Sequence, residues 1–394
     1  MHDFTYCAPT EIVFGQDAEL KCGEEIQKFG GSRVMLVYGS GSVVKSGLLP
    51  RVQAQLTAAG LAVTLLGGVV PNPRVSLVRT GIAQALDFGV DFLLAVGGGS
   101  VIDTAKAIAI GVAQKEDDIW AVWTKKLPLR AALPVGAVLT IPAAGSEMSD
   151  SAVLTNEEDG EKRGVNSQVI RCRFAAINPA LCATLPKYQL ACGTVDAMMH
   201  TMDRFFTHPT DNELSDEFAC GLLRCVSRNG ARVVADASDY HAMSELVWGS
   251  TVSHNGLTGL GGVKCFAPHG LSHGISGHYD VAHGASLAAI WPSWARYCID
   301  EDPARFAKFG REVWGLAASG DDKKDGLAAI DATEAFFRSL GMPVNFRELG
   351  VGPLDKASLE ALADHASIRG TITLGAFKVL HRPDMLAIYE LANK

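Results

Sequence analysis

Short apolar runs alternate with helical periodicities through the first 185 residues, and after Pro186 the strand signals almost vanish. Val34–Tyr38, Ala62–Leu66, Asp91–Val96, Val135–Thr140, Ala152–Thr155 and Phe174–Asn178 read as strands. Ser46–Ala59, Val75–Leu86 and Ser100–Ile110 carry helical spacing. Such alternation builds a mostly parallel sheet covered on both faces. Beyond Pro186, Tyr188–Phe206, Glu213–Ala235 and Met243–Gly256 are helical, and the last third reads only as helical packing. The expectation is an α/β domain over residues 1–185 and an all-helical domain over 186–394. A chain of 394 residues is too long for one ordinary core. Phe4–Cys7 and Glu11–Phe14 read as two short strands that could pair across the subunits of a homodimer.

Hydrophobic residues make up 48 % and charged residues 20 %, a balance that supports a packed core. The net charge is −8 with no Lys/Arg-rich run, which excludes the basic footprint of a nucleic-acid binder. The nine cysteines contain no C-x-x-C pair, so free thiols in a reducing, cytoplasmic compartment are expected. The start, MHDFTYCAPTEIVFG, has neither the basic nor the apolar region of a signal peptide. An uncharged stretch from Val52 to Pro73 is broken by Gly60, Gly67, Gly68 and Pro71, so it reads as helix end, turn and strand rather than a membrane span.

Gly97-Gly98-Gly99-Ser100, with Asp103 three residues on, follows an apolar strand and opens a helix. Glycines let backbone approach a pyrophosphate, and a helix N-terminus offers free N–H groups and partial positive charge. The alternative is a glycine turn followed by a capping box on Ser100 and Asp103. Gly39-Ser40-Gly41-Ser42 ends the strand Val34–Tyr38 in another donor-rich loop, or in a plain tight turn.

Asp196 and His200 share one face of a helix at i,i+4 spacing, among Val195, Ala197, Met198, Met199 and Met202. A carboxylate and an imidazole in such company need a partner, either each other or a metal. His269, His273, His278 and His283 fall within fifteen residues of a chain that has eleven histidines. Imidazole plus carboxylate without thiolate suits Zn²⁺ or Fe²⁺. Spacing alone leaves open which of the histidines bind.

The strand–GGGSxxD–helix unit, the Asp-x-x-x-His helix and the H-x-x-x-H…H-G segment together resemble the iron-containing alcohol dehydrogenase family, in its NADPH-dependent butanol dehydrogenase and aldehyde reductase branch. Val70–Pro73 (VPNP), Ile141–Met148 (IPAAGSEM) and Asn178–Pro179 support the likeness. It covers nearly the whole chain and weakens after about Tyr297. The resemblance implies Asp196, His200, His269 and His283 as metal ligands. It implies His273 as a non-ligand beside substrate and nicotinamide, and His278 as loop structure. Gly39, Ser40, Gly41, Ser42, Asn72, Gly98, Gly99, Ser100, Thr140 and Lys162 fall on cofactor-contacting positions, with Asp103 of the same glycine motif. Where many relatives have T-G-T-G-S-E, this chain has Ala143-Ala144-Gly145-Ser146-Glu147, which removes threonine hydroxyls from that turn. The likeness also implies a dinucleotide-binding first domain, a metal-binding second domain and a cleft between them.

The chemistry so implied is hydride transfer between NADP(H) and a small primary alcohol or aldehyde, with one divalent ion, Fe²⁺ or Zn²⁺, as Lewis acid. His273, one helical turn from His269, is the candidate proton carrier. NADP(H) is expected over NAD(H), because no acid stands at the tip of Val34–Tyr38 to bond a ribose 2′-hydroxyl. Two rivals are a lyase resembling dehydroquinate synthase and a non-catalytic dinucleotide sensor. Lys264 is the only basic residue close in sequence to the histidine cluster, too little to seat a phosphorylated acid. A complete metal site serves a sensor no purpose.

Overall fold

The computed structural model describes residues 3–39, 41–115, 118–208 and 211–394. The chain divides into two compact units, Cys7–Thr184 and Leu185–Lys394, the latter grouped with the residues up to Tyr6.

The first unit runs β1 (Glu11–Phe14), α1 (Cys22–Lys28), β2 (Arg33–Gly39), α2 (Ser42–Lys45), α3 (Leu48–Ala58), β3 (Ala62–Val69), α4 (Val75–Phe88), β4 (Phe92–Gly97), α5 (Gly99–Gln114), α6 (Trp120–Trp123), β5 (Val135–Leu139), β6 (Ser151–Thr155), β7 (Lys162–Asn166) and β8 (Phe174–Ile177). Six strands form one sheet in the order β1-β8-β5-β4-β2-β3, and every pairing in it is parallel. Leu36 faces Leu94, Leu94 faces Gly136, and Gly136 faces Phe174 across the central strands. Residues of β4, β5 and β8 are buried throughout, as continuous apolar runs covered on both faces must be. Phe174 stacks on Phe92 and Phe29, filling one face.

The strand order reverses at β2: the chain leaves it to pair β3 on one side and returns to pair β4 on the other. In open parallel sheets, ligands settle beyond the carboxyl ends of the strands at such a switch point. Here those ends are Gly39 and Gly97.

Two sequence expectations need correction. Phe4–Cys7 forms no strand. Glu11–Phe14 is a strand as expected, paired with β8 of its own chain at the edge of the sheet. Ala152–Thr155 is not part of the parallel sheet; β6 pairs antiparallel with β7 in a separate hairpin. Periodicity identifies a strand but not its partner, and the polar Lys162–Asn166 gave no apolar signal at all.

The second unit contains α7 (Lys187–Phe205), α8 (Glu213–Ala235), α9 (Tyr240–Ser253), α10 (Ala267–Tyr279), α11 (His283–Cys298), α12 (Pro303–Trp314), α13 (Asp322–Ser339), α14 (Phe346–Leu349), α15 (Lys356–Ala366) and α16 (Arg382–Ala392). Among the described residues, no helix is long and apolar enough to cross a membrane. α7 is the axis, packed against α8, α9, α10 and α11. From Gly193 to Phe205 every residue of α7 is buried, so any polar side chain there must find a partner inside the protein. Phe205, Phe206, Trp291, Trp294, Phe306 and Phe309 form an aromatic core beyond its C-terminal end. All nine cysteines are free.

Candidate functional site

The buried face of α7 carries Asp196 and His200 one turn apart, as i,i+4 spacing requires. His200 Nε2 lies 3.4 Å from Asp196 Oδ1. His269, in the first turn of α10, brings Nε2 to 3.8 Å from the same oxygen. His283 opens α11 and brings its Nε2 to 3.8 Å as well. Three imidazole nitrogens from three helices therefore converge on one carboxylate oxygen. One ligand atom each from Asp196, His200 and His269 lies within 4.8 Å of the others, a group able to hold a metal ion.

Asp196 Oδ1 and His269 Nε2 are buried with no hydrogen-bond partner among the described residues. A buried carboxylate oxygen and imidazole nitrogen left bare cost a few kcal/mol each, on the order of 1–3. A divalent cation between them removes that cost, and an oxygen-plus-imidazole donor set suits zinc or ferrous iron. The residues present fit the ion.

The two buried imidazoles are shifted in opposite directions. Burial, followed by neighbouring His254 and His269, drives His200 well below the usual imidazole range, so it is a neutral donor. Burial pushes His269 the same way, but the carboxylates of Asp203 and Asp196 outweigh it and hold His269 above its ordinary value. His269 Nδ1 is hydrogen-bonded to Asp203 Oδ2 at 2.5 Å. His283 Nδ1 lies 3.3 Å from Ser272 Oγ.

His273 sits one turn beyond His269 on α10, half-buried, with its ring 5.6 Å from that of His283. His278 is turned to Tyr279 and His365 instead. The entry of α11 depends on Gly284, where a Cβ would stand 2.1 Å from the Cys192 carbonyl oxygen, one turn before Asp196. Only glycine lets the two backbones meet there, and that meeting brings His283 beside Asp196.

Sequence reasoning missed Asp203, His254 and Arg204. Asp203 follows Asp196 at i+7 and His200 at i+3 on the same face, and that spacing is the signal it offered. His254, at the end of α9, stacks on His200 with centroids 3.9 Å apart. Arg204 adds a cation beside the histidines that is distant in sequence from the Lys264–His283 stretch. Its buried guanidinium donates to the carbonyls of His200 and Ser253 and lies over the Phe266 ring.

In the first unit most of the other candidate residues lie at or just after the carboxyl ends of the strands, while Lys162 opens β7 and Asp103 lies in α5. Gly39 closes β2, Gly41 precedes α2, and Ser42 begins it; Ser40 lies outside the described residues. Gly98 is the N-cap of α5, which starts at Gly99, so Ser100 lies inside the first turn and does not cap it. The helix thus presents its first-turn N–H groups directly behind β4. A Cβ on Gly98 would come within 2.8 Å of Ile141. Thr140 follows β5, its N–H bonded to the Gly97 carbonyl. Asn72, in the left-handed region at φ 56°, accepts from Lys162 Nζ at 3.0 Å.

Asp103 does not complete a capping box. Its carboxylate accepts from Ser146 Oγ at 2.5 Å and from the Val153 N–H at 3.0 Å. Burial outweighs Lys106 and keeps its acid above the usual range. Fully buried Lys106, one turn further, donates to the carbonyls of Ser146, Ser149 and Ser151. Together they lash the Ile141–Ser151 segment to α5 and set Ala144 against Gly99.

Comparison with known proteins agrees with this arrangement. Residues 9–179 match the family pattern described as iron-containing alcohol dehydrogenase, and residues 190–393 match the C-terminal pattern of the Fe-containing alcohol dehydrogenase family. The chain is 38 % identical over 391 residues, 99 % of each chain, to a probable NADH-dependent butanol dehydrogenase of Bacillus subtilis (strain 168). It is 34 % identical over 395 residues, 100 % of each, to the NADPH-dependent aldehyde reductase YqhD of Escherichia coli (strain K12). Its fold superposes on the crystal structure of NADH-dependent butanol dehydrogenase A from Thermotoga maritima with a TM-score of 0.95 and 35 % identity, covering 100 % of this chain and 99 % of that one. These matches favour a dehydrogenase over the lyase and sensor readings, and the chain belongs to the iron-containing alcohol dehydrogenase family.

Proposed function

We propose that this alcohol dehydrogenase interconverts a small primary alcohol and its aldehyde with NADP(H), on one divalent ion, Fe²⁺ or Zn²⁺, held by Asp196, His200, His269 and His283. The observation that carries the reading is the convergence of three imidazole nitrogens on the buried Asp196 oxygen. When bound, the ion supplies Lewis acidity toward a carbonyl or alcohol oxygen, and the nicotinamide supplies or accepts the hydride.

The residues of this chain do the rest. Asp196 contributes the negative charge that holds a cation, and the histidines complete the shell as neutral donors. His273, on the same helix face as His269, moves the proton that a reduced carbonyl oxygen must gain. Gly98, Gly99 and Ser100 receive a pyrophosphate at the start of α5, with Gly39, Ser40, Gly41, Ser42, Asn72, Asp103, Thr140 and Lys162 around the cofactor. Asp103 acts by fixing the loop that carries Ser146. In this reading residues 1–185 are the dinucleotide-binding domain and 186–394 the metal-binding domain.

The names of the relatives divide between NADH and NADPH, so the cofactor preference rests on this chain's own residues. Gly39 ends β2 without a carboxylate, which leaves room for a 2′-phosphate. A reducing, cytoplasmic compartment fits the free cysteines, and a homodimer is the assembly proposed. The test is direct: metal-loaded protein is mixed with NADPH and butanal while absorbance of the reduced nicotinamide is followed. Turnover that is faster with NADPH than with NADH is expected. No oxidation with either cofactor would refute the reading.

A further inference from the structure

Asp203 is buried on α7, in register with Asp196 and His200. Two of its groups reach the segment that carries His269. Its backbone carbonyl accepts from the Cys265 N–H at 2.9 Å. Its carboxylate Oδ2 bonds His269 Nδ1 at 2.5 Å, although the two residues are 66 positions apart. The other carboxylate oxygen, Oδ1, is buried with no hydrogen-bond partner among the described residues. A carboxylate kept out of water in this way is costly unless its charge is used, and His269 is where its side-chain bond goes.

We propose that Asp203 is a positioning residue of the metal site, fixing the tautomer and ring orientation of His269 so that Nε2 turns its lone pair toward Asp196. The inference rests on the metal reading above. A neutral imidazole carries one ring hydrogen. A carboxylate acceptor at Nδ1 puts it there and leaves Nε2 as the donor to an ion. The negative charge also raises the donor strength of that nitrogen. The outer nitrogens of the other two imidazoles differ. His283 Nδ1 lies 3.3 Å from the Ser272 hydroxyl, and His200 Nδ1 has no partner among the described residues. Asp203 therefore gives His269 a carboxylate anchor.

Asp203→Asn preserves shape and can still accept one hydrogen bond, but it removes the charge. Full-length protein freed of metal by a chelator is titrated with Co²⁺, for parent and variant, and the absorption spectrum of the bound ion is recorded. The expected result is affinity weaker by about 10- to 100-fold, an altered Co²⁺ spectrum and an unchanged melting temperature of the metal-free protein. Equal Co²⁺ affinity and identical spectra would overturn the proposal. So would a loss of affinity fully matched by destabilisation of the metal-free protein. A parent that binds no stoichiometric Co²⁺ would overturn the metal reading and this inference together. A second measurement needs no variant: the Zn²⁺-loaded parent should show a strongly downfield His269 Nδ1–H proton resonance, and its absence would also overturn the proposal.

Discussion

Replacing Gly284 by alanine should empty the metal site without touching a ligand. The added Cβ would stand 2.1 Å from the Cys192 carbonyl oxygen, 2.6 Å from its carbon and 2.7 Å from its Cα. All three are backbone atoms inside the buried helix α7, so no flexible side chain can yield. Reaching even a 3.0 Å contact requires the backbones to separate by about 0.9 Å, and ordinary contact requires about 1.3 Å. His283 is the preceding residue and moves with them. Metal–ligand distances tolerate only about 0.2 Å of error, so the displacement is several times what coordination allows. Overpacking of this kind costs about 1–3 kcal/mol, enough to lower the melting temperature without preventing folding. Elemental analysis of Gly284→Ala should therefore show metal well below one ion per chain, with activity falling in proportion. Gly221→Ala on α8 is the control. Its nearest neighbour would be an arginine tip at 3.9 Å, so metal content should be intact and stability unchanged or raised by up to about 1 kcal/mol. Full metal content and parental turnover in Gly284→Ala would refute the claim that this backbone contact sets His283.

Other substitutions separate the proposed roles. Asp196→Ala or His283→Ala should abolish stoichiometric metal and activity while circular dichroism stays parental; His278→Ala losing the metal while His283→Ala keeps it would reverse the ligand assignment. His273→Ala should retain the metal and lower turnover by ~10²-fold, typical of a lost acid–base group, and turnover unchanged across the pH range would exclude it as proton carrier. Gly39→Asp should shift preference from NADPH toward NADH, by repelling a 2′-phosphate and bonding a ribose hydroxyl. A Cβ at that position meets the Val69 carbonyl oxygen at an ordinary 3.5 Å, so the side chain can be accommodated. A variant with an undiminished kcat/KM ratio for NADPH over NADH would place the discrimination elsewhere.

Much of the site was legible because its parts are local in sequence. Asp196 and His200 are one helical turn apart, and His269 to His283 span a single helix and the start of the next. What local spacing could not reveal is what tertiary packing creates. The spacing of Asp203 puts it on the Asp196 face, but its partner lies 66 residues away, so spacing alone could not show what it bonds. The need for glycine at 284 exists only because α11 meets α7 there. The parallel sheet followed from apolar runs buried on both faces. The β6–β7 hairpin did not, because a strand's periodicity is indifferent to its partner and β7 is largely polar. At α5 the Ser-x-x-Asp spacing suggested a cap, but Asp103 was claimed instead by Ser146 and Val153. Competing hydrogen bonds of that kind are invisible until the chain is folded.

The central claim is that carbonyl reduction by this chain depends on an ion at the Asp196 cluster. The most direct measurement is the rate of NADPH oxidation by butanal in one anaerobic preparation, taken as purified, after chelation, and after return of Fe²⁺ or Zn²⁺. The rate should vanish with the metal and return with one ion per chain, whereas a chelated, metal-free protein that keeps its full rate would contradict the account.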